Sequence, residues 1–294
     1  MDDVHDFKYI PYFFVLSGLL LFVYSLGIYG VNNYIRAILN NERLGAEISQ
    51  ENSYGVHAMF SIIASTYIAL FFEKKRYYIL SMILTLMLLA SGSKASLFAF
   101  LFGMFLLFLF RYKASSKLFG SLILFGVILL ISIQLPVFSG VLKRINNMFS
   151  FLKDTGNSSV DNSTRERLYM IELGITFFQR KPMFGYGLDN YKELAFPFLG
   201  RRVYSHNNYI ELLVGGGLIS LLLYYLSHFV IFIKSFKKTN TFTTFIIILL
   251  LVYILLDFTG PSYYSKEFYI FIGLGFASIN PALNDILEKR EKNE

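Results

Sequence analysis

The sequence predicts an all-α fold: a polytopic helical membrane protein with about eight transmembrane helices and one large external loop containing amphipathic helices. Three observations predict it. The 294 residues are 55% hydrophobic with mean hydropathy +0.52. Charged residues make up 16%, well under the roughly 25% of soluble domains. Apolar runs near the ~20-residue length of a bilayer span recur from end to end. Cysteine is absent, which excludes disulfides, thiolate metal sites and a cysteine nucleophile. The net charge of +7 marks membrane-protein loops and does not argue for a nucleic-acid partner.

The spans read in order as 10–30, 54–72, 77–92, 95–110, 118–137, 207–233, 241–258 and 267–282 within a single membrane domain, 1–294. The first follows "MDDVHDFKYI", which lacks the basic start of a cleavable signal peptide, so 10–30 is expected to be retained. The third and fourth are short and meet in "SGSKAS". Short basic connections stand at 73–76 ("EKKR"), 111–117 ("RYKASSK") and 234–238 ("KSFKK"), and the tail is "EKREKNE". With eight spans all of these share one side with both termini, and the excess of Lys and Arg makes that side cytoplasmic. The opposite, external side then holds 31–53 and a long loop, 138–206. That loop carries ten Lys/Arg against six Asp/Glu, which the orientation rule tolerates in long segments.

Within the loop, "STRERLYMIELGITFFQRKP" reads as an amphipathic helix lying on the membrane or over a cavity. Ser163 or Thr164 is its expected N-cap, apolar residues recur at 168, 171, 175 and 178, and Pro182 closes it. No internal repeat and no soluble domain is evident.

Polar residues at the mouth of the sixth span are the first candidates for chemistry: His206, Asn207, Asn208 and Glu211. Asn207 and Glu211 share a helix face, while His206 points toward the external loop. A neutral imidazole near pH 7 can accept a proton from a hydroxyl. The plainer alternative is an interfacial N-cap in which Ser205 or Asn207 starts the helix and His206 sits among headgroups. Arg144, Arg165, Arg167, Arg180, Arg201 and Arg202 form a second group, suited to gripping phosphate oxygens or simply headgroups. Lys94, at an outer turn between two spans, could pair with phosphate or snorkel. Asp257 and Glu211 are the acids deepest in predicted spans.

Other patterns carry less. "GYGLDN" at 185–190 has Asn190 where a dinucleotide fingerprint needs its third glycine. The triple glycine 215–217 is expected inside a helix, permitting close helix packing. "NSS" at 157 and "NST" at 162 are chance-level glycosylation matches, and the four histidines form no metal-ligand pair at helical spacing.

"HNNYIELLVGGGLIS" (206–220) resembles the signature of the O-antigen ligase and surface-polysaccharide polymerase superfamily: a His, an Asn, nine residues, a Gly and a small residue three further on. His206, Asn207, Gly217 and Ser220 are its terms here, with Ser220 a departure. "RLYMIELGITFFQRKPMFGYGLDNY" (167–191) resembles the family's loop motif of Arg, amphipathic helix, Pro and G-x-G, with Ile171 where tryptophan is common. "SGSK" resembles an outer-turn Ser-Arg pair with Lys94 for Arg, and 43–60 resembles an arginine-to-asparagine stretch before a span.

The resemblance implies glycosyl transfer at the outer face of a bacterial cytoplasmic (inner) membrane, from an undecaprenyl-diphosphate-linked oligosaccharide to an acceptor glycan, without cofactor or metal. It implies His206 as the group that positions or deprotonates the attacking hydroxyl and Arg167 as the diphosphate grip. Lys94, Arg165, Arg144, Arg201, Arg202, Asn207 and Glu211 are then candidate substrate contacts. Polymerisation of O-antigen or capsular repeat units, with a chain-length regulator as possible partner, is the first expectation. Ligation to lipid A-core or another acceptor is the second. A lipid-linked glycan transporter would need paired halves with broken helices and midplane charges, which the sequence does not display. The family usually carries more spans than the eight read here, so the chain is expected to be a short member or a piece of a longer one, an inactive fragment included.

Overall fold

The computed structural model describes residues 7, 9–40, 42–113, 115–133, 162–237 and 240–280. Arg144 and the glycosylation match at 157 lie outside the described residues, as do the end of the fifth predicted span and the basic tail. The described residues form helices and no strand: α1 (Ile10–Tyr29), α2 (Val31–Asn40), α3 (Glu51–Phe71), α4 (Tyr77–Ser91), α5 (Lys94–Tyr112), α6 (Ser116–Ile133), α7 (Asn162–Arg180), α8 (Tyr191–Leu199), α9 (Asn208–Lys237), α10 (Thr241–Leu256) and α11 (Lys266–Ser278).

Among the described residues each predicted span overlaps one of these helices, the sixth overlapping a helix that is broken at Gly217. Among the described residues four are long and apolar enough to cross a membrane: Ile10–Tyr29, Glu51–Phe71, Lys94–Tyr112 and Asn208–Ser235. The other four are shorter, α11 having 13 residues. At 1.5 Å per residue that is about 20 Å of rise against a hydrocarbon core of roughly 30 Å. The protein is a helical membrane protein, and eight full-length crossings are more than these lengths support. Helix α2 was expected to be loop. It is ten residues long, too short to span a bilayer, and its buried residues Tyr34, Ala37 and Ile38 follow one stripe at helical spacing.

The chain divides into two compact units, residues 1–146 and 147–294. In the first, α3 is the centre, buried almost continuously from Tyr54 to Leu70. Small residues bring neighbours onto it. The Ser61 hydroxyl donates to the Phe14 carbonyl of α1 at 2.9 Å. A Cβ on Gly55 would stand 2.7 Å from Ser91 Oγ and 2.8 Å from Ser96 Oγ. The turn that carries Lys94 therefore rests directly on α3. Arg43 seals its edge, donating from Nε to the Ser91 carbonyl (3.2 Å) and from Nη2 to Asn52 Oδ1 (2.8 Å).

The second unit is built on a broken helix. Nominally α9 runs 30 residues, but Gly217 has φ 65° and ψ −159°, which no helix contains. A continuous helix would separate Asn208 from Tyr225 by about 25 Å. Instead Asn208 Nδ2 donates to the Tyr225 hydroxyl at 3.3 Å, and the Tyr209 and Tyr225 rings stack at 5.2 Å. Ser220 Oγ donates to the Leu212 carbonyl at 2.7 Å. The two limbs, 208–216 and 218–237, thus fold back on each other. Backbone groups freed at the break pair with the turn after α7: Tyr186 N–H donates to the Val214 carbonyl (2.9 Å), Gly187 N–H to Gly215 (2.7 Å), and Leu218 N–H to Pro182 (2.8 Å). The glycine run therefore packs against loop backbone, where close contact between helices was expected. A membrane-buried carbonyl without a donor is costly, so break and loop must form together.

Helix α7 packs on the first limb through Met170, Leu173 and Phe177, which join Tyr191, Ala195, Ile210 and Val214 in one buried cluster. The expected stripe was 168, 171, 175 and 178. That set lies on a neighbouring face, and Ile175 is 44% exposed. Apolar residues at 170, 173 and 177 recur at the same helical spacing as the expected set, so periodicity alone does not choose the buried side. It begins at Asn162, which leaves Ser163 and Thr164 inside the first turn and not at the cap. It ends at Arg180, just before Pro182, as expected.

Replacing Gly217 by Ala is expected to lower the thermal unfolding midpoint markedly, because the new Cβ would meet the Pro182 carbonyl at 2.5 Å and the backbone is left-handed. Gly273→Ala, where nothing lies within 4 Å, should be neutral or slightly stabilising under the same measurement in detergent.

Candidate functional site

His206 occupies an arch between α8 and α9. Its φ of 57° is left-handed, a conformation histidine tolerates better than most residues and one that often marks functional positions. Flanking bonds hold it there. Ser205 Oγ donates to the Asn207 carbonyl (2.9 Å), and Asn207 N–H donates back to Ser205 Oγ (3.3 Å). Asn207 Oδ1 accepts from Ile210 N–H at 3.1 Å, making Asn207 the N-cap of α9. Glu211 reaches back one turn and accepts from Ser205 N–H at 2.5 Å. Both Asn207 and Glu211 are buried, at 6% and 3% exposure, with acceptor atoms committed to backbone. Their geometry is that of a reciprocal cap.

The next residue is pinned harder. Asn208, fully buried, accepts on Oδ1 from Ser262 N–H (2.8 Å) and Tyr263 N–H (3.0 Å), and its own N–H donates to the Asp257 carbonyl (2.7 Å). The Asp257 carboxylate is also fully buried and accepts from the Tyr225 hydroxyl (2.6 Å) and from Ser262 Oγ. A buried carboxyl is tolerable only when its oxygens are occupied in this way. The acid that the sequence places deep in a span therefore ties the start of α9 to the turn between α10 and α11.

Arginines surround the arch unequally. Arg167, partly buried on α7, is close enough for its charge to act on His206, and so is Arg201. Burial, then Arg167, pushes the His206 imidazole down to about 4, with Glu166 opposing and Arg201 adding to the shift. The ring is therefore neutral at pH 7. Arg165 is exposed; two residues from Arg167, it points to the far side of α7. Arg201 is paired with Glu166, and Arg202 Nε donates to both carboxylate oxygens of Glu193 at 2.9 Å. Arg180 is exposed at the end of α7. Lys94 belongs to the first unit, at the first residue of α5, directly after the Ser93 cap. The second unit thus brings together His206, Arg167, Arg201 and Glu166, around the Asn207–Glu211 cap. Sequence reasoning missed Glu166, Tyr204, Tyr225 and Ser262, and it assigned no role to Asn208. Only the doubled asparagine at 207–208 hinted at the pin. Among the described residues no group of three or more His, Asp or Glu comes together to hold a metal ion.

The sequence profile described as O-antigen ligase matches residues 79–225, half of the chain. The chain belongs to the O-antigen ligase family. Membership assigns it glycosyl transfer of the O-antigen ligase and polymerase type, with a lipid-linked glycan and an acceptor as substrates, in a multi-pass protein of a bacterial inner membrane. No curated protein matches the chain. The matched stretch contains Lys94, the loop arginines, His206 and the Gly217 break, and it ends at Tyr225, so Asp257 and the 262–264 turn lie beyond it.

Histidine NMR on labelled protein should find the His206 signal, identified by its loss in His206→Ala, titrating near pH 4. Arg167→Ala should raise that midpoint but leave it below the ordinary 6.5, because burial is the larger cause. Glu166→Gln should lower it further.

Proposed function

We propose that the protein polymerises undecaprenyl-diphosphate-linked repeat units of O-antigen or capsular polysaccharide on the outer face of the cytoplasmic membrane. The observation that carries this reading is a neutral imidazole, rigidly arched and electrostatically coupled to Arg167 within one unit. In the proposed step a hydroxyl oxygen of the acceptor glycan attacks the anomeric carbon of the donor. The bond from that carbon to the diphosphate oxygen breaks, and undecaprenyl diphosphate leaves with the electron pair. The hydroxyl proton passes to His206.

Electrostatics favour this order of events. With the site empty, the charge of Arg167 helps hold His206 unprotonated. A diphosphate seated on Arg167 cancels that charge, and the growing negative charge on the leaving group stabilises the imidazolium as it forms. Arg167 can hold two phosphate oxygens in its fork, which a lysine cannot. Arg201 and Arg202 add phosphate contacts by exchanging their carboxylate partners. Asn207 and Glu211 serve by holding the arch. Ligation to lipid A-core uses the same chemistry and differs in the acceptor; a chain-length regulator belongs to the polymerase reading alone.

His206→Ala should abolish long-chain glycan in a strain lacking the native copy, at normal expression; wild-type chain length would remove His206 as the base. Arg167→Lys should be nearly as damaging as Arg167→Ala in the same gel assay. Topology reporters fused at 115 and 236 should read cytoplasmic and one at 157 external, and the opposite pattern would separate the donor from the site.

A further inference from the structure

The turn between α10 and α11 is chemically unlike a simple connection. Its sequence, "PSYYSKE" at 261–267, lies beyond the residues matched to the family. The two bonds from Ser262 and Tyr263 N–H to Asn208 Oδ1 fasten it within two residues of His206. Tyr263 and Tyr264 stand edge to face at 5.1 Å, and Tyr269 Oη donates to the Tyr263 carbonyl at 2.6 Å, stiffening the turn. On the other flank of the histidine, the Tyr204 ring lies 4.3 Å from the imidazole. Burial raises the Tyr264 hydroxyl above its usual range, and Tyr204, Glu211 and Asp189 are near enough to add to it. Yet Tyr264 remains 58% exposed. The ring is thus held on one side by Tyr263 and open on the other.

We propose that Tyr264, with Tyr204 and Tyr263, forms the acceptor-sugar subsite: an aromatic shelf that takes the apolar face of a pyranose and presents one of its hydroxyls to His206. This rests on the glycosyl-transfer reading above. A pyranose carries C–H groups on its faces and hydroxyls around its rim. A tyrosine offers a flat apolar body with a polar tip at low conformational cost, which suits both. The shelf also separates the substrates: phosphate faces Arg167 and Arg201, and the sugar faces the tyrosines. Because the turn lies outside the family match, it is where acceptor preference can vary while the transfer chemistry stays constant.

Interfacial anchoring is the competing role for an exposed tyrosine, and the test separates the two. Purified protein in nanodiscs is titrated with glucose, galactose, rhamnose and N-acetylglucosamine, read by saturation transfer to the sugar C–H protons. Undecaprenyl diphosphate binding is measured on the same samples. At least one sugar should receive transfer, kept in Tyr264→Phe and about tenfold weaker in both Tyr264→Ala and Tyr264→Leu, the loss of one good aromatic contact. Undecaprenyl diphosphate binding should be unchanged in all three and lost in Arg167→Ala. Full transfer in Tyr264→Leu, which preserves an apolar anchor, overturns the shelf, as does transfer to none of the four sugars. Either result with diphosphate binding intact leaves the donor reading standing. Sugar transfer lost in Tyr264→Leu, without any diphosphate binding, would retain the shelf and remove the donor reading.

Discussion

The second unit depends on one backbone event, the reversal of α9 at Gly217. A side chain at φ 65° and ψ −159° would be strained and would collide with the turn after α7, so glycine is required there. The reversal leaves helix carbonyls and an amide without helical partners, and the Pro182–Gly187 turn fills them. Two motifs separated in sequence, the Pro and G-x-G after α7 and the glycine after His206, are therefore halves of one hydrogen-bonded joint. The joint orients α7 beside the first limb of α9, and that alignment carries Arg167 to the level of His206.

Around the histidine, polar groups are buried in a pattern that spends their bonding capacity on backbone. Glu211, Asn207, Asn208 and Asp257 each satisfy amides or hydroxyls of the arch, the first turn of α9, the second limb or the α10–α11 turn. Such a network is stable only when complete, and its completeness is what makes the arch rigid. The histidine is the exception. Its backbone is held in a left-handed conformation while its ring, near Tyr204, keeps a low proton affinity through burial and arginine charge. Rigidity in the surroundings and an uncommitted imidazole at the centre are what the proposed proton transfer needs, since such a transfer demands a defined approach.

Much of this was legible in linear form. Apolar length located a helix within each of the eight predicted stretches, but not the break at Gly217 inside the sixth. Asn207 as a cap and Pro182 as a stop followed from local backbone chemistry that needs no tertiary partner. The buried stripe of α7 was misjudged, since 170, 173 and 177 recur at the same helical spacing as 168, 171, 175 and 178, and spacing cannot choose between two such rows. The short helix α2 escaped because ten residues are too few for a span, although Tyr34, Ala37 and Ile38 recur at helical spacing. Arg201 and Arg202 stood in one basic doublet, but each is paired with a different carboxylate, Glu166 and Glu193, which only folding brings near.

What the sequence by itself determined is the solvent and the candidates: a chain this apolar must be helical in a bilayer, and its histidine and several arginines stand beside one span. The tertiary structure alone decided which members meet. Whether an arginine faces His206 depends on the rotation of α7, whether Asp257 touches Asn208 depends on the reversal at Gly217, and whether a tyrosine stands at the site depends on where the α10–α11 turn is tied. Each is set by contacts between residues tens of positions apart, and such contacts leave no periodic trace in the order of the amino acids.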